Sequence, residues 1–255
     1  MKPIEQARSA SRALGMGAIT LGMLGTLSVY QRLRDPAERP ARFQTWMRGW
    51  ADALLQVFGV ESSIHGVLPP SAAGARLVVS NHRSPLDILL LLRTFGGVVL
   101  SRADLQHWPV LGIAARRAET IFVDRGDAMS GVLAVRALRD RLEKGRTVIV
   151  FPEGTTLAGD EVREFQQGAF AAARGLPVEI VPVGIAYEPG SEFIEETFME
   201  HVTRVARRRR TRVAIAIGAS RPMEGSRRAL TEATRNEVQR LVREARRELD
   251  LRAGT

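Results

Sequence analysis

The stretch Arg76-Leu77-Val78-Val79-Ser80-Asn81-His82-Arg83-Ser84-Pro85-Leu86-Asp87 decides the fold. The apolar run Leu77-Val78-Val79 predicts a strand buried on both faces. Ser84 then suits a helix N-cap, with Pro85 at the first helical position and Asp87 at the third, the arrangement of a capping box. A strand feeding a short turn and then a helix is half of a βαβ unit. His82 falls on the turn that leaves the strand's carboxyl end, which is where open α/β sheets place their ligands.

The pattern repeats downstream. Strands are predicted at 76–80, 97–101, 119–123, 146–151, 178–187 and 212–218, with helical stretches between them. One such helix, Asp127–Lys144, carries Val132, Val135, Leu138 and Leu142 on one side and stops at Gly145, a C-cap glycine. The expected fold class is therefore α/β, a mainly parallel sheet flanked by helices. A chain of 255 residues accommodates one such domain plus an appendage, and its 45% hydrophobic content is that of a globular protein. With no cysteine, disulfides, thiolate metal sites and a cysteine nucleophile are excluded. The net charge of +9 favours anionic partners. The run Arg207–Arg210 reads as a solvated surface patch, with anionic lipid or an acidic carrier protein as the sharper alternative, and no nucleic-acid motif accompanies it.

The appendage is N-terminal. Ala13–Gln31 has 19 residues without a charge, about the lower limit for crossing a bilayer, and follows the basic residues Lys2, Arg8 and Arg12. It reads as a membrane-attached helix, either spanning the bilayer or lying in it, with no small-x-small cleavage signal before Arg32. Phe43, Trp46, Met47, Trp50, Leu54, Val57 and Phe58 then recur at helical spacing, which fits a core-facing helix or an interfacial one. The chain divides into an N-terminal membrane-associated helical segment, 1–68, and a catalytic domain, 69–255, with the boundary near Pro69-Pro70.

His82 and Asp87 carry candidate chemistry. An imidazole takes a proton from an alcohol when one tautomer is fixed and its developing charge is compensated, and Asp87 in the first helical turn is placed to do both. A second stretch supports it. The β-branched strand Thr147-Val148-Ile149-Val150 runs into Phe151-Pro152-Glu153-Gly154-Thr155-Thr156, where proline ends the ladder and glycine permits close approach of a ligand.

Together, H-x4-D after one strand and F-P-E-G-T after a later one resemble the glycerolipid acyltransferase family, whose type member is lysophosphatidic acid acyltransferase. The resemblance extends in order through Ser101-Arg102-Ala103-Asp104-Leu105, Trp108-Pro109 with Leu111-Gly112, Ile121-Phe122-Val123-Asp124-Arg125, Phe165–Phe170 and Val181-Pro182-Val183-Gly184. It implies a membrane-associated enzyme, at the cytoplasmic face of the inner membrane. The reaction it implies moves a fatty acyl group from acyl-CoA or acyl carrier protein to the free hydroxyl of a lysolipid. His82 would be the general base, oriented by Asp87, while Arg102, Arg125, Glu153, Gly154, Thr155 and Thr156 hold the acceptor head group. Oxyanion donors are expected among the backbone N–H groups near Ser84 or in the Gly154 turn. No metal or cofactor is implied.

Two positions depart from the family. Many lysophosphatidic acid enzymes carry arginine where this chain has Thr156, and glycine commonly stands where it has Glu119. A hydroxyl does not replace a fork of charged donors, and F-P-E-G-T-T is similar to branches that acylate other lysolipids, including lyso-ornithine lipid. Lysophosphatidic acid, giving phosphatidic acid, is the leading acceptor, with lyso-ornithine lipid as the alternative. A non-catalytic basic membrane-binding protein is the reading outside enzymology.

Overall fold

A computed structural model of the chain describes residues 3–33, 39–68, 74–108, 111–124 and 126–253. The expected boundary at Pro69-Pro70 lies outside them, as do Pro109 and Arg125. The strands are β1 (Val60–Gly66), β2 (Ala75–Ser80), β3 (Val98–Arg102), β4 (Ile121–Val123), β5 (Thr147–Val150), β6 (Val178–Tyr187), β7 (Thr211–Ile217) and β8 (Arg221–Pro222). The helices are α1 (Pro3–Leu33), α2 (Arg39–Val57), α3 (Leu86–Phe95), α4 (Leu111–Arg117), α5 (Ala128–Glu143), α6 (Gly168–Ala173), α7 (Phe198–Arg207) and α8 (Arg227–Ala253).

The strands form one sheet in the order β1-β7-β6-β2-β5-β3-β4, with β8 also on β6. Only the β6–β7 and β6–β8 pairs are antiparallel, so the expected mainly parallel sheet flanked by helices is the fold observed. Alternation along the strands builds two cores. Val78, Ile149 and Val181 face α2, α3 and α7, whereas Leu77, Val79, Val148, Val150 and Ile180 face α5, α6 and α8. A third patch of small residues, Ala186, Ala214 and Ala216, lets α8 lie close on the sheet. Gly184 is required there, because a Cβ would come within 2.3 Å of the α8 backbone at Leu241 and Val242.

Strand β1 was not expected. Val-Glu-Ser-Ser-Ile-His-Gly pairs in parallel with β7 at the sheet edge, so the sheet reaches back across the 68/69 division. Upstream, α2 packs Met47, Ala51 and Leu55 into the first core, with Phe58 just past its end, and α1 rests on α2 through Trp50 Nε1, which donates to Thr20 Oγ1 at 3.1 Å. Arg8 and Arg12, read above as the basic flank of the apolar run, have a structural task. They donate to the carbonyls of Ala206, Arg207, Arg208 and Arg209, where α7 ends with unsatisfied acceptors and a negative dipole end. Beyond that anchor Leu14, Leu21 and Val29 are exposed, and the stretch Pro3–Val29 is long and apolar enough to be a candidate membrane segment.

Sheet order places the two decisive stretches side by side. Strand β2 pairs with β5 on one side, Val79 opposite Val150, and with β6 on the other, Ser80 opposite Val183. All three run the same way, so the chain after β2, the chain after β5 and the last residues of β6 meet at one end of the sheet.

Candidate active site

At the end of β2 the side chain of Asn81 takes over from the backbone ladder. Its Nδ2 donates to the Ile185 carbonyl and its Oδ1 accepts from the Ile185 N–H, both at 2.8 Å, which frees the main chain to turn at His82. His82 Nδ1 then lies 2.8 Å from Asp87 Oδ2. A carboxylate so close fixes the hydrogen on Nδ1 and leaves Nε2 as the basic nitrogen. The imidazole stacks on Phe151, which follows β5, with ring centroids 4.1 Å apart and planes at 18°.

Of the expected capping box one arm forms, from Ser84 N to Asp87 Oδ2, and Pro85 rather than Ser84 stands at the N-cap. Helix α3 begins at Leu86, and Ser84 Oγ accepts from Leu86 N rather than from Asp87 N. Asp87 Oδ2 accepts from Ser84 N at 2.9 Å and from Arg83 N at 2.6 Å as well as from His82. Its Oδ1 accepts from the Tyr187 hydroxyl at 2.7 Å. Asp87 is fully buried, and these four donors stand in for the water it has lost. Burial, and then the charge of Asp87, push the Tyr187 phenol well above its ordinary range, so it remains a donor.

Glu153 also faces inward. Its Oε1 accepts from His82 N at 2.8 Å and from Arg83 Nη1 at 2.9 Å, and its Oε2 from Arg163 N at 3.0 Å. Arg83 is equally sunk, donating further to the carbonyls of His82, Gly159 and Glu161. The carboxylate expected at the acceptor head group is thus a clamp between the two stretches, with a buried ion pair at its centre.

His82, Gly154, Thr155, Thr156 and Arg102 line one cavity of about 1130 Å³. Gly154 sits at φ 78°, the left-handed region that favours glycine, and turns the chain so that both threonines border this space. Arg102 is exposed and pairs with Asp104 at 3.0 Å. Arg125 lies outside the described residues, so its place at the site remains an expectation. A second, apolar cavity of about 140 Å³ lies beneath α2 and α3, lined by Met47, Trp50, Leu86, Leu89 and Val99, and shares Pro85 and Ile88 with the first.

The expected oxyanion donors at the helix start are already engaged. The N–H groups of Arg83 and Ser84 serve Asp87, that of Leu86 serves Ser84 Oγ, and those of Asp87 and Gly154 bond to the carbonyls of Ser84 and Phe151. The N–H groups of Thr155 and Thr156, in the same turn, make no hydrogen bond among the described residues. Among the described residues no three His, Asp or Glu side chains gather as metal ligands. Glu119 has φ 56°, which accounts for the family's glycine there; this chain instead pairs its carboxylate with Arg141 at 3.5 Å and Arg146 at 3.7 Å.

Sequence reading did not find Arg83, Tyr187 or Asn81, nor His201. Ser84 Oγ lies 2.9 Å from His201 Nε2, and His201 Nδ1 lies 2.8 Å from Glu196 Oε1. Arg204 forks both oxygens of Glu196 and holds that carboxyl below its ordinary range, while burial lowers the His201 imidazole. No local pattern points to residues whose decisive partners lie between 70 and 117 positions away.

The sequence matches the family model described as acyltransferase over residues 62–186. It is 32% identical over 227 residues to the lyso-ornithine lipid O-acyltransferase of Pseudomonas aeruginosa, an alignment covering 86% of each chain. It is 28% identical over 118 residues to the 1-acyl-sn-glycerol-3-phosphate acyltransferase of Neisseria gonorrhoeae, covering 46% of each. Its fold is similar to the crystal structure of the 1-acyl-sn-glycerophosphate acyltransferase PlsC from Thermotoga maritima, with a TM-score of 0.75 over 94% of this chain and 95% of that one at 20% identity.

Proposed function

Since the chain belongs to the acyltransferase family, we propose that it transfers a fatty acyl group from acyl-CoA or acyl carrier protein to the free hydroxyl of a lysolipid, with His82 as general base. The observation that carries this reading is the 2.8 Å contact between His82 Nδ1 and a fully buried Asp87, in a histidine that borders the large cavity. Nε2 takes the proton of the acceptor hydroxyl as its oxygen attacks the thioester carbonyl. The tetrahedral oxyanion finds donors in the N–H groups of Thr155 and Thr156. Collapse breaks the C–S bond, and the leaving thiolate regains the proton from Nε2, so the base is restored and one ester replaces one thioester.

The two cavities divide the substrates. Polar head group and thioester belong to the large one, bordered by Arg102, Thr155 and Thr156, and the apolar one, which adjoins it at Pro85 and Ile88, has room for a few carbons of an acyl chain. With α1 in a leaflet, the lysolipid reaches the site without leaving the membrane, and it and the acyl donor gain most from being oriented together. The cytoplasmic face of the inner membrane is where both acyl donors are soluble, and the net charge of +9 suits anionic lipid.

Thr156 and the likeness over most of the chain to a lyso-ornithine lipid enzyme favour that acceptor. Arg102 on the same cavity favours lysophosphatidic acid as the second reading. The test offers purified protein in vesicles both lysolipids, each with labelled acyl-CoA and with labelled acyl carrier protein. His82→Ala and Asp87→Ala should lower transfer by about 10²–10⁴-fold while vesicle binding persists. Transfer that survives both changes removes the general base, and binding with no transfer in any combination leaves a non-catalytic membrane protein.

A further inference from the structure

We propose that His201 is a positioning residue for the His82–Asp87 pair, acting through Ser84 and held in place by Glu196 and Arg204. The inference rests on the acyltransfer reading above. Its core is a chain of contacts running from the base to the loop before α7. His82 Nδ1 and Ser84 N both donate to Asp87 Oδ2, at 2.8 and 2.9 Å. The side chain of that same Ser84 meets His201 Nε2 at 2.9 Å, and His201 Nδ1 meets Glu196 Oε1 at 2.8 Å.

The proton positions follow from the partners. Glu196 is a carboxylate gripped by Arg204, so His201 Nδ1 carries hydrogen and Nε2 is the acceptor. Ser84 Oγ must then donate to Nε2, and its lone pairs accept from Leu86 N at 3.3 Å. Both ends of Ser84 are thereby fixed, and with them the direction in which its N–H points at the catalytic carboxylate. A second tie runs alongside, because Phe193 N in the same loop donates to the Arg83 carbonyl at 2.7 Å.

Serine, histidine and glutamate in this order have the connectivity of a nucleophilic triad. Ser84 is fully buried, His201 is 1% exposed, and the serine oxygen is engaged on both sides, so no substrate carbonyl reaches it. What the arrangement does instead is set the field on Asp87. Each N–H aimed at Oδ2 withdraws negative charge from the carboxylate, and losing one strengthens its hold on a protonated His82. The charged and titratable groups around His201 are Glu196 and Arg204 from its own segment, Asp87 across Ser84, and the neutral Tyr187 phenol beside them.

The test measures kcat for transfer from labelled palmitoyl-CoA, with lyso-ornithine lipid and with lysophosphatidic acid, across pH for wild type, His201→Phe, His201→Gln, Ser84→Ala and the Ser84→Ala/His201→Phe pair. His201→Phe and Ser84→Ala should each lower kcat by about 10- to 100-fold with little change in KM, and move the acid limb of the profile to higher pH. The double variant should lose no more than the worse single one. His201→Gln, whose amide oxygen can accept from Ser84, should restore the limb and most of the rate. A merely structural role would reduce the amount of active enzyme and leave the limb in place, which overturns the proposal. So would additive losses, or a Ser84→Ala variant that is wholly inactive while His201→Phe is not. Ser84→Ala removes one oxygen and keeps the test open should His201→Phe fold poorly. Wild-type protein without transfer to either lipid, from palmitoyl-CoA or from palmitoyl-acyl carrier protein, would instead remove the acyltransfer reading, and this inference with it.

Discussion

Glu153 Oε1 lies 2.8 Å from the main-chain nitrogen of His82, although 71 residues separate the two. The contact closes the gap between two strands that leave the sheet side by side, and Arg83 completes it from beneath. Replacing Glu153 with alanine strands a buried guanidinium, which costs about 3–5 kcal/mol when one partner of a buried pair is removed. Glu153→Gln keeps an acceptor for His82 N and should cost less. Chemical denaturation measures both, and transfer kinetics decide the role. If Glu153→Ala keeps its stability and raises only the KM for the lysolipid, the residue touches the head group and the clamp is wrong.

The Tyr187 hydroxyl carries a second prediction, since it supplies the donor to Asp87 Oδ1. Tyr187→Phe leaves that oxygen buried without a partner, at about 1–3 kcal/mol of stability. The remaining charge on the carboxylate should then hold His82 protonated to higher pH, so the acid limb of kcat moves up. In the wild type, with burial keeping the phenol protonated, no phenolate absorbance from this residue should develop across the working range. An unmoved limb in Tyr187→Phe would show that Oδ1 has no influence on the base.

The helix-start residues and the six principal strands were legible because their causes are local. Buried parallel strands read as continuous apolar runs, and Asp87 reaches His82 within one helical turn. Strand β1 was illegible because an edge strand with alternating exposure needs few apolar residues, and Glu61, Ser62 and His65 disguise it. The direction of Glu153 depends on Arg83, and the task of Arg8 and Arg12 on where α7 ends. These facts belong to the sheet order rather than to any window of sequence. The same holds for His201, which meets Ser84 across 117 positions.

Arg12 fastens α1 to the body, donating to the carbonyls of Ala206, Arg208 and Arg209. Arg12→Ala should cost about 1–2 kcal/mol through hydrogen bonds that involve a charged donor and a helix carboxyl end. Because Arg8, donating to the Arg207 carbonyl, is then left to hold that end of α1 on α7, limited proteolysis near the N-terminus should quicken before global unfolding does. Equal cleavage rates in variant and wild type would place the anchorage elsewhere, with the Thr20–Trp50 contact as the next to test.

His201 makes stability depend on pH. Burial lowers its imidazole below the ordinary value of 6.5, against the opposing pull of Glu196. The unfolded chain then binds the proton more readily than the folded one, so the neutral ring's contribution is present above that value and declines as pH falls below it. Melting temperature should drop more steeply in wild type than in His201→Gln as pH is lowered from neutrality into the mildly acidic range, before the carboxylates titrate. Parallel curves would mean that the folded ring accepts the proton without penalty.

The acceptor head group turns on Thr156. It is half-buried on the cavity that His82 borders, its own N–H is one of the two proposed oxyanion donors, and Arg102 is on the same cavity. A phosphate monoester prefers a planar fork of charged donors, which a single hydroxyl cannot supply. The ornithine head group offers instead one carboxylate and one ammonium, and a second arginine would repel the latter. Thr156→Arg should therefore raise kcat/KM for lysophosphatidic acid relative to lyso-ornithine lipid by about tenfold, which corresponds to roughly 1.4 kcal/mol. Competition between the two lipids in one vesicle measures the ratio without reference to enzyme concentration. A ratio unmoved by the substitution would mean that the head group is held from another side of the cavity, and that the identity of this one residue does not set the substrate.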